Sequence, residues 1–395
     1  MKVDRMASYA LLRLASQFPV VGIIGPRQSG KSTLAKMVFP TKKFVSFDDR
    51  NIRNIANSNP RDFLLAFPDG VIIDEAQKVP DIFDAIKYDV DNGEYTPGKY
   101  ILTGSSQFKL RENMSDSLAG RASYMRLLPF TIGELGVVSG GDASVYDLIF
   151  KGCYPPLYDT KKRFNSSDWF ESYIDTYLSF DVKDQINASN LMQFKTFIQL
   201  CATYSGQVFS MDSMARKLGL SAPTIKKWLS VLESSFIISF LEPDTNNIGK
   251  SLVKTAKMYF TDTGLLCHLL RLQSKEDLLL SPYKGAVVET FAVSEMLKVR
   301  QNKARKGNLT YYRDWNGLEV DTIADWRHTF AIEIKSSSDA DSGLSSNIHK
   351  YIDSRKDVQC RGTVLYLGDL TCTVNNVDYV SWKDWDSYID DCENK

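Results

Sequence analysis

The sequence predicts an α/β fold: a phosphate-loop domain on a parallel sheet, then a helical and winged-helix segment, then a second α/β domain. Three observations carry this. Residues 25–32 read GPRQSGKS directly after the apolar run Val20-Val21-Gly22-Ile23-Ile24. Val71-Ile72-Ile73-Asp74-Glu75 is a short apolar run ending in two carboxylates. Late in the chain, Ala331-Ile332-Glu333-Ile334-Lys335 alternates apolar and charged residues with the period of a strand.

The first run and the loop after it form a strand, a G-x-x-x-x-G-K-[ST] turn and a helix over 32–38. Gly25 and Gly30 let the backbone curl so that N–H groups face phosphate oxygens. The helix starts with its positive end at the same oxygens. The nucleotide-binding stretch is therefore Gly25, Pro26, Arg27, Gln28, Ser29, Gly30, Lys31, Ser32 and Thr33. Lys31 reaches the β- and γ-phosphates, and the Ser32 hydroxyl ligates Mg²⁺. ATP and Mg²⁺ are the expected cofactors.

Asp74, at the end of its strand, belongs on the Mg²⁺ shell. Glu75 is placed to take a proton from the attacking water. Residues 43–47 (KFVSF), 100–103 (YILT) and 123–128 (SYMRLL) complete the strand set. Strands alternating with helices imply a parallel sheet covered on both faces. A polar residue at the tip of the YILT strand can orient the lytic water; Thr103, Ser105 and Gln107 are the candidates.

GPRQSGKST, VIIDEAQ, ILTGSSQ and LAGR together resemble the bacterial and archaeal AAA+-type P-loop ATPases whose C-terminal half is a domain of unknown function. GCYPPLY (152–158), KMYFTDTGLL (257–266) and VVETFAVSEML (287–297) extend the resemblance over nearly the whole chain. The resemblance implies an ATPase with a strand between its two nucleotide motifs. It also implies that Arg121, in LAGR, senses the γ-phosphate in its own subunit or a neighbour's; a structural surface ion pair is the alternative.

With 48 basic and 48 acidic residues, no global field draws the chain to nucleic acid or membrane, so any nucleic-acid site is a local patch. Six cysteines without a C-x-x-C pair point to reduced thiols in a cytoplasmic protein, and three separated histidines to no histidine metal site. No signal peptide or apolar run of about 20 residues is read.

At 395 residues, two to three domains are expected, and the motifs divide the chain into an ATPase domain over 1–138, a helical region over 139–280, and a restriction-endonuclease-like domain over 281–395. Trp169, Phe170, Tyr173, Tyr177 and Phe180 recur at helical spacing, as packing residues do. Residues 206–241 read as helix, tight turn, helix and strand, the pattern of a winged helix-turn-helix. Its second helix presents Thr224, Lys226 and Lys227 on one side. It either meets DNA phosphates there or serves as a protein-packing module.

In the last region, Glu289 lies on a helix, Asp321 on a hairpin strand, and Glu333 and Lys335 on the alternating strand. This order resembles the PD-(D/E)XK core, with Val320 where that pattern has proline. There, Asp321 and Glu333 would hold a second metal, Glu289 would support it, and Lys335 would position or activate water. The same core also persists as a binding scaffold. Three functions follow: an ATPase coupled to a DNA- or protein-binding half, an ATP-licensed nuclease, or a nucleotide switch for a protein partner. Oligomers fit each.

Overall fold

The structure is a computed structural model that describes residues 3–104, 110, 114, 117–139, 143–177, 182, 186, 191–244, 255–355 and 359–392. Strands β1 (Val20–Ile24), β2 (Lys43–Ser46), β3 (Val71–Asp74), β4 (Tyr100–Gly104) and β5 (Ala122–Arg126) form one parallel sheet in the order β2-β3-β4-β1-β5. The central strands are apolar along their length because helices cover both faces. Val21, Ile23, Ile72 and Ile101 face the Ala7–Ala15 and Lys31–Val38 helices. Val20, Ile24, Ile73 and Leu102 face the larger core on the other side. Strand β5 ends at Arg126, before the expected residue 128. Leu127 still donates its N–H to Ile24, but Pro129 has none to give.

This order places β4 between β1 and β3. The phosphate loop leaves the C-terminal end of β1, and Asp74 ends β3. Thr103 stands on β4 between them. Ser105 and Gln107 lie outside the described residues, as does Phe180.

The other four aromatic residues of the expected stripe are buried on the Ser166–Tyr177 helix. Trp169 stacks on Tyr173 at 5.2 Å between ring centres. The helix pair expected within 206–241 is present as Met211–Leu218 and Ala222–Ser234. Ser210 and Ser221 cap the two helices, and Gly219, left-handed at φ 65°, ends the first. Trp228 anchors the second helix against Phe194 and Phe197, while Lys226 and Lys227 are exposed.

Strands β6 (Gln207–Val208), β7 (Ile238–Pro243), β8 (Lys257–Phe260), β9 (Leu309–Arg313), β10 (Glu319–Asp325), β11 (Thr329–Lys335), β12 (Cys360–Tyr366), β13 (Cys372–Val374) and β14 (Val377–Ser381) form a mixed nine-stranded sheet. Its order is β13-β14-β12-β11-β10-β9-β7-β8-β6. The sheet continues across residue 280, because β7 pairs in parallel with β9 through Glu242 and Pro243. The Lys284–Asn302 helix is buried on nearly every side, as a strut packed between layers must be. No described helix is long and apolar enough to cross a membrane. All six cysteines are free thiols.

Candidate nucleotide site and carboxylate cluster

The phosphate loop has the backbone that its sequence demands. Gly30 is left-handed (φ 97°, ψ 17°) immediately before the Lys31–Val38 helix. At Gly25 a Cβ would meet the Leu127 carbonyl oxygen at 2.2 Å, so only glycine fits. The Lys31 ammonium is buried and donates to the Gly25 and Pro26 carbonyls at 2.9 and 2.7 Å. Asp74 is the meeting point of three strands and the loop. It accepts from Ser32 Oγ at 2.7 Å, from Ser46 Oγ at 3.3 Å and from the Thr103 hydroxyl. Of the three residues proposed to orient water, Thr103 is thus tied to the Asp74 carboxylate. A hydroxyl and a carboxylate side by side are hard oxygen donors, the set Mg²⁺ takes. Glu75 follows in a left-handed conformation (φ 53°), a costly one for a side chain of its size. The Gln77 amide holds its carboxylate at 2.5 Å.

Arg5 supports the loop from behind. Its guanidinium is buried, pairs with Glu134 at 2.9 Å, and donates to the carbonyls of Ser29 at 3.0 Å and Leu128 at 2.9 Å. No motif around Arg5 announces this role.

A cavity of about 630 Å³ opens over these groups, within the usual size range of small-molecule sites. Arg27, Gln28, Gly30, Lys31, Ser32 and Thr33 line one side, with Asp74 and Glu75 at the strand end. Pro155, Pro156, Asp159 and Lys162 form a facing wall, from the segment that begins GCYPPLY. Ser29 is wholly buried and turned into the protein. Arg121 does not line this cavity: it pairs with both carboxylate oxygens of Asp91, one at 2.9 Å.

Comparison with known proteins identifies the parts. An AAA domain matches residues 17–136, and domains of unknown function match 142–276 (DUF8612) and 284–385 (DUF4143). The uncharacterized proteins Rv2008c of Mycobacterium tuberculosis and Mb2031c of Mycobacterium bovis are each 30% identical over 344 residues. Each match covers 86% of this chain and 75% of the relative. The chain belongs to the family of these mycobacterial proteins. Its first region is an AAA-type ATPase domain. Among solved structures, the Walker-type ATPase PABY2304 of Pyrococcus abyssi is 15% identical with a TM-score of 0.43, covering 67% of this chain and 94% of its own. AMPPCP-bound DnaA of Aquifex aeolicus is 14% identical with a TM-score of 0.29, covering 57% and 85%.

In this family member the three C-terminal phrases of the resemblance meet in space. Asp262, from KMYFTDTGLL, accepts from the Cys153 N–H of GCYPPLY at 2.7 Å and caps the Thr263–Leu269 helix. Gly152 and Gly264 pack backbone to backbone: a Cβ on Gly264 would lie 2.7 Å from Gly152 Cα. VVETFAVSEML supplies Glu295, whose carboxyl accepts from Ile132 N–H at 2.8 Å. Asp386 accepts from Gly133 N–H at 2.7 Å, so two acidic groups of the last region cap the Ile132–Ser139 helix of the first.

The same phrase supplies Glu289. It shares electrostatic influence with Asp321, Glu333 and Lys335. Asp321 accepts from the Ile334 N–H at 2.9 Å, and the Lys335 ammonium pairs with Glu333. Burial first, and Asp321 next, push Glu289 up to about 7 against the pull of Lys257; the same two causes push Glu333 up to about 7 against Lys335. Lys257, Tyr259 and Glu319 complete the cluster. The Lys257 ammonium lies 3.2 Å from Glu289 and 2.7 Å from Glu319, and Tyr259 donates to Glu289 at 2.7 Å. In the sequence, Lys257 and Tyr259 are visible only as part of a family phrase. Among the described residues, no three His, Cys, Asp or Glu side chains are grouped to hold a metal ion.

Proposed function

We propose that this chain binds and hydrolyses Mg-ATP and that nucleotide state sets the arrangement of its C-terminal half. The observation that carries this reading is the Asp74 carboxylate, which joins Ser32, Ser46 and Thr103 beneath the cavity. Bound Mg²⁺ would neutralise developing phosphate charge, and Ser32 and Asp74 would hold it. Lys31 would exchange its two carbonyl contacts for phosphate oxygens. Glu75 would take the proton of the lytic water, with Gln77 fixing its orientation. The wall at Pro155 and Pro156 gives the second region direct contact with whatever fills the cavity. Arg121, paired with Asp91 and absent from the cavity lining, fits the structural ion pair better than a phosphate sensor.

ATP turnover measured alone and with duplex, single-stranded and branched DNA or RNA tests this reading. Stimulation by one class identifies the partner of the C-terminal half. Turnover that no nucleic acid changes makes a protein the better partner. A complete lack of Mg-dependent turnover leaves a nucleotide switch.

The carboxylate cluster favours a second reading for the last domain, a restriction-endonuclease-like core. Helix Glu289, strand Asp321 and strand Glu333-x-Lys335 stand together in the order of that core. Plasmid nicking in Mg²⁺ or Mn²⁺ separates a cutting core from a binding scaffold.

A further inference from the structure

We propose that Lys257 is a built-in counter-cation that closes the carboxylate cluster, and that displacing its ammonium opens a site for one divalent cation. This rests on the restriction-endonuclease-like reading of the cluster and adds its regulation.

The Lys257 side chain is 3% exposed. It enters the cluster from β8, in the middle region, while the carboxylates come from the Lys284–Asn302 helix, β10 and β11. Its ammonium sits between two carboxylates, 3.2 Å from Glu289 and 2.7 Å from Glu319. An ammonium kept charged in so enclosed a place needs carboxylates around it, and these carboxylates need a cation. Each side of the contact is therefore incomplete alone.

One oxygen is not satisfied by this arrangement. Glu333 is 2% exposed, its Oε2 takes Lys335, and its Oε1 has no hydrogen-bond partner. A buried carboxylate oxygen without a partner is rare and marks a place for a missing group. A donor or a cation would satisfy it. Oxygen ligands from Glu289, Asp321 and Glu333 suit Mg²⁺ or Mn²⁺. Lys257 stands between Glu289 and Glu319, and among the described residues no three acidic groups are grouped to hold one. The ammonium and the divalent cation thus compete for the same charge.

Mn²⁺ uptake by the full, nucleotide-free chain tests this, read by electron paramagnetic resonance of free Mn²⁺ and by thermal shift. Wild type should take up no Mn²⁺ at concentrations where Lys257→Met takes up one per chain, an affinity gain of at least about tenfold. The uptake should raise the melting temperature and vanish in Lys257→Met with Asp321→Asn. Lys257→Gln keeps an N–H donor for Glu289 and should behave in the same way if the Met variant does not fold. Wild type already holding one Mn²⁺ through Asp321 would overturn the inference and leave the metal-core reading standing. Folded Lys257 variants that take up none would overturn both.

Discussion

Ser32 and Asp74 lie 42 residues apart in the chain, and their side chains meet at 2.7 Å. The contact joins the phosphate loop to the end of β3 across the tip of β4. Everything proposed for nucleotide chemistry depends on that junction.

Lys31→Ala should abolish ATP binding or weaken it severely while the fold stays intact. The lysine supplies charge-assisted contacts to the phosphates, and the Gly25 and Pro26 carbonyls that hold it now can be solvated instead. Calorimetry decides this. Wild-type affinity in a folded variant would remove the loop from the nucleotide site.

Arg5→Ala should destabilise the protein by about 3–5 kcal/mol, because it strands the buried Glu134 carboxylate. It should also weaken ATP binding, since Arg5 holds the Ser29 carbonyl of the loop. Urea unfolding measures the first effect. Adding Glu134→Gln should recover part of the loss. A single-variant loss below about 1 kcal/mol would mean that the pair is not structural.

The two-region cap at Ile132 and Gly133 gives a pH prediction. Burial and then Asp386 raise the Glu295 carboxyl well above its ordinary value, against the pull of Lys298. The folded state then keeps a proton that the unfolded chain releases near pH 4.5. Stability falls as pH rises above that value and until the folded group ionises. Glu295→Gln removes this dependence. Its stability relative to wild type should grow by about 1.4 kcal/mol per pH unit across that window. Parallel stability curves for the two proteins would show that Glu295 is ionised in the fold.

The exposed Lys226 and Lys227 are the thin electrostatic footprint of the Ala222–Ser234 helix. If that helix meets DNA, Lys226→Glu with Lys227→Glu should lower affinity at low salt and flatten the salt dependence. Absence of any wild-type binding at low ionic strength would make the helix a packing element.

What was legible in the sequence follows from how local each signal is. The phosphate loop, β3 with its two acids, and the strand between them announce themselves within a few residues each. Glu333 and Lys335 could be placed on one face by period-two alternation alone. The capping serines of the helix pair also carry their signal locally. Contacts made across the chain were not legible. Arg5 finds Glu134 at a separation of 129 residues, and Lys257 finds Glu289 at 32. Nothing in LAGR told that Arg121 would pair with Asp91, 30 residues before it. The cavity wall was hidden for the same reason. GCYPPLY reads only as a phrase of the resemblance; in the fold Gly152 packs on Gly264, and Pro155 and Pro156 line the cavity over the phosphate loop.

The most direct test of the central claim is Mg-dependent ATP hydrolysis by wild type and Glu75→Gln. Glu75 stands beside Asp74, held by the Gln77 amide on the edge of the cavity. The variant should bind ATP as wild type does and hydrolyse it about 10²–10⁴-fold more slowly. Equal turnover in the two proteins would contradict the account, because the proton of the lytic water would then go elsewhere.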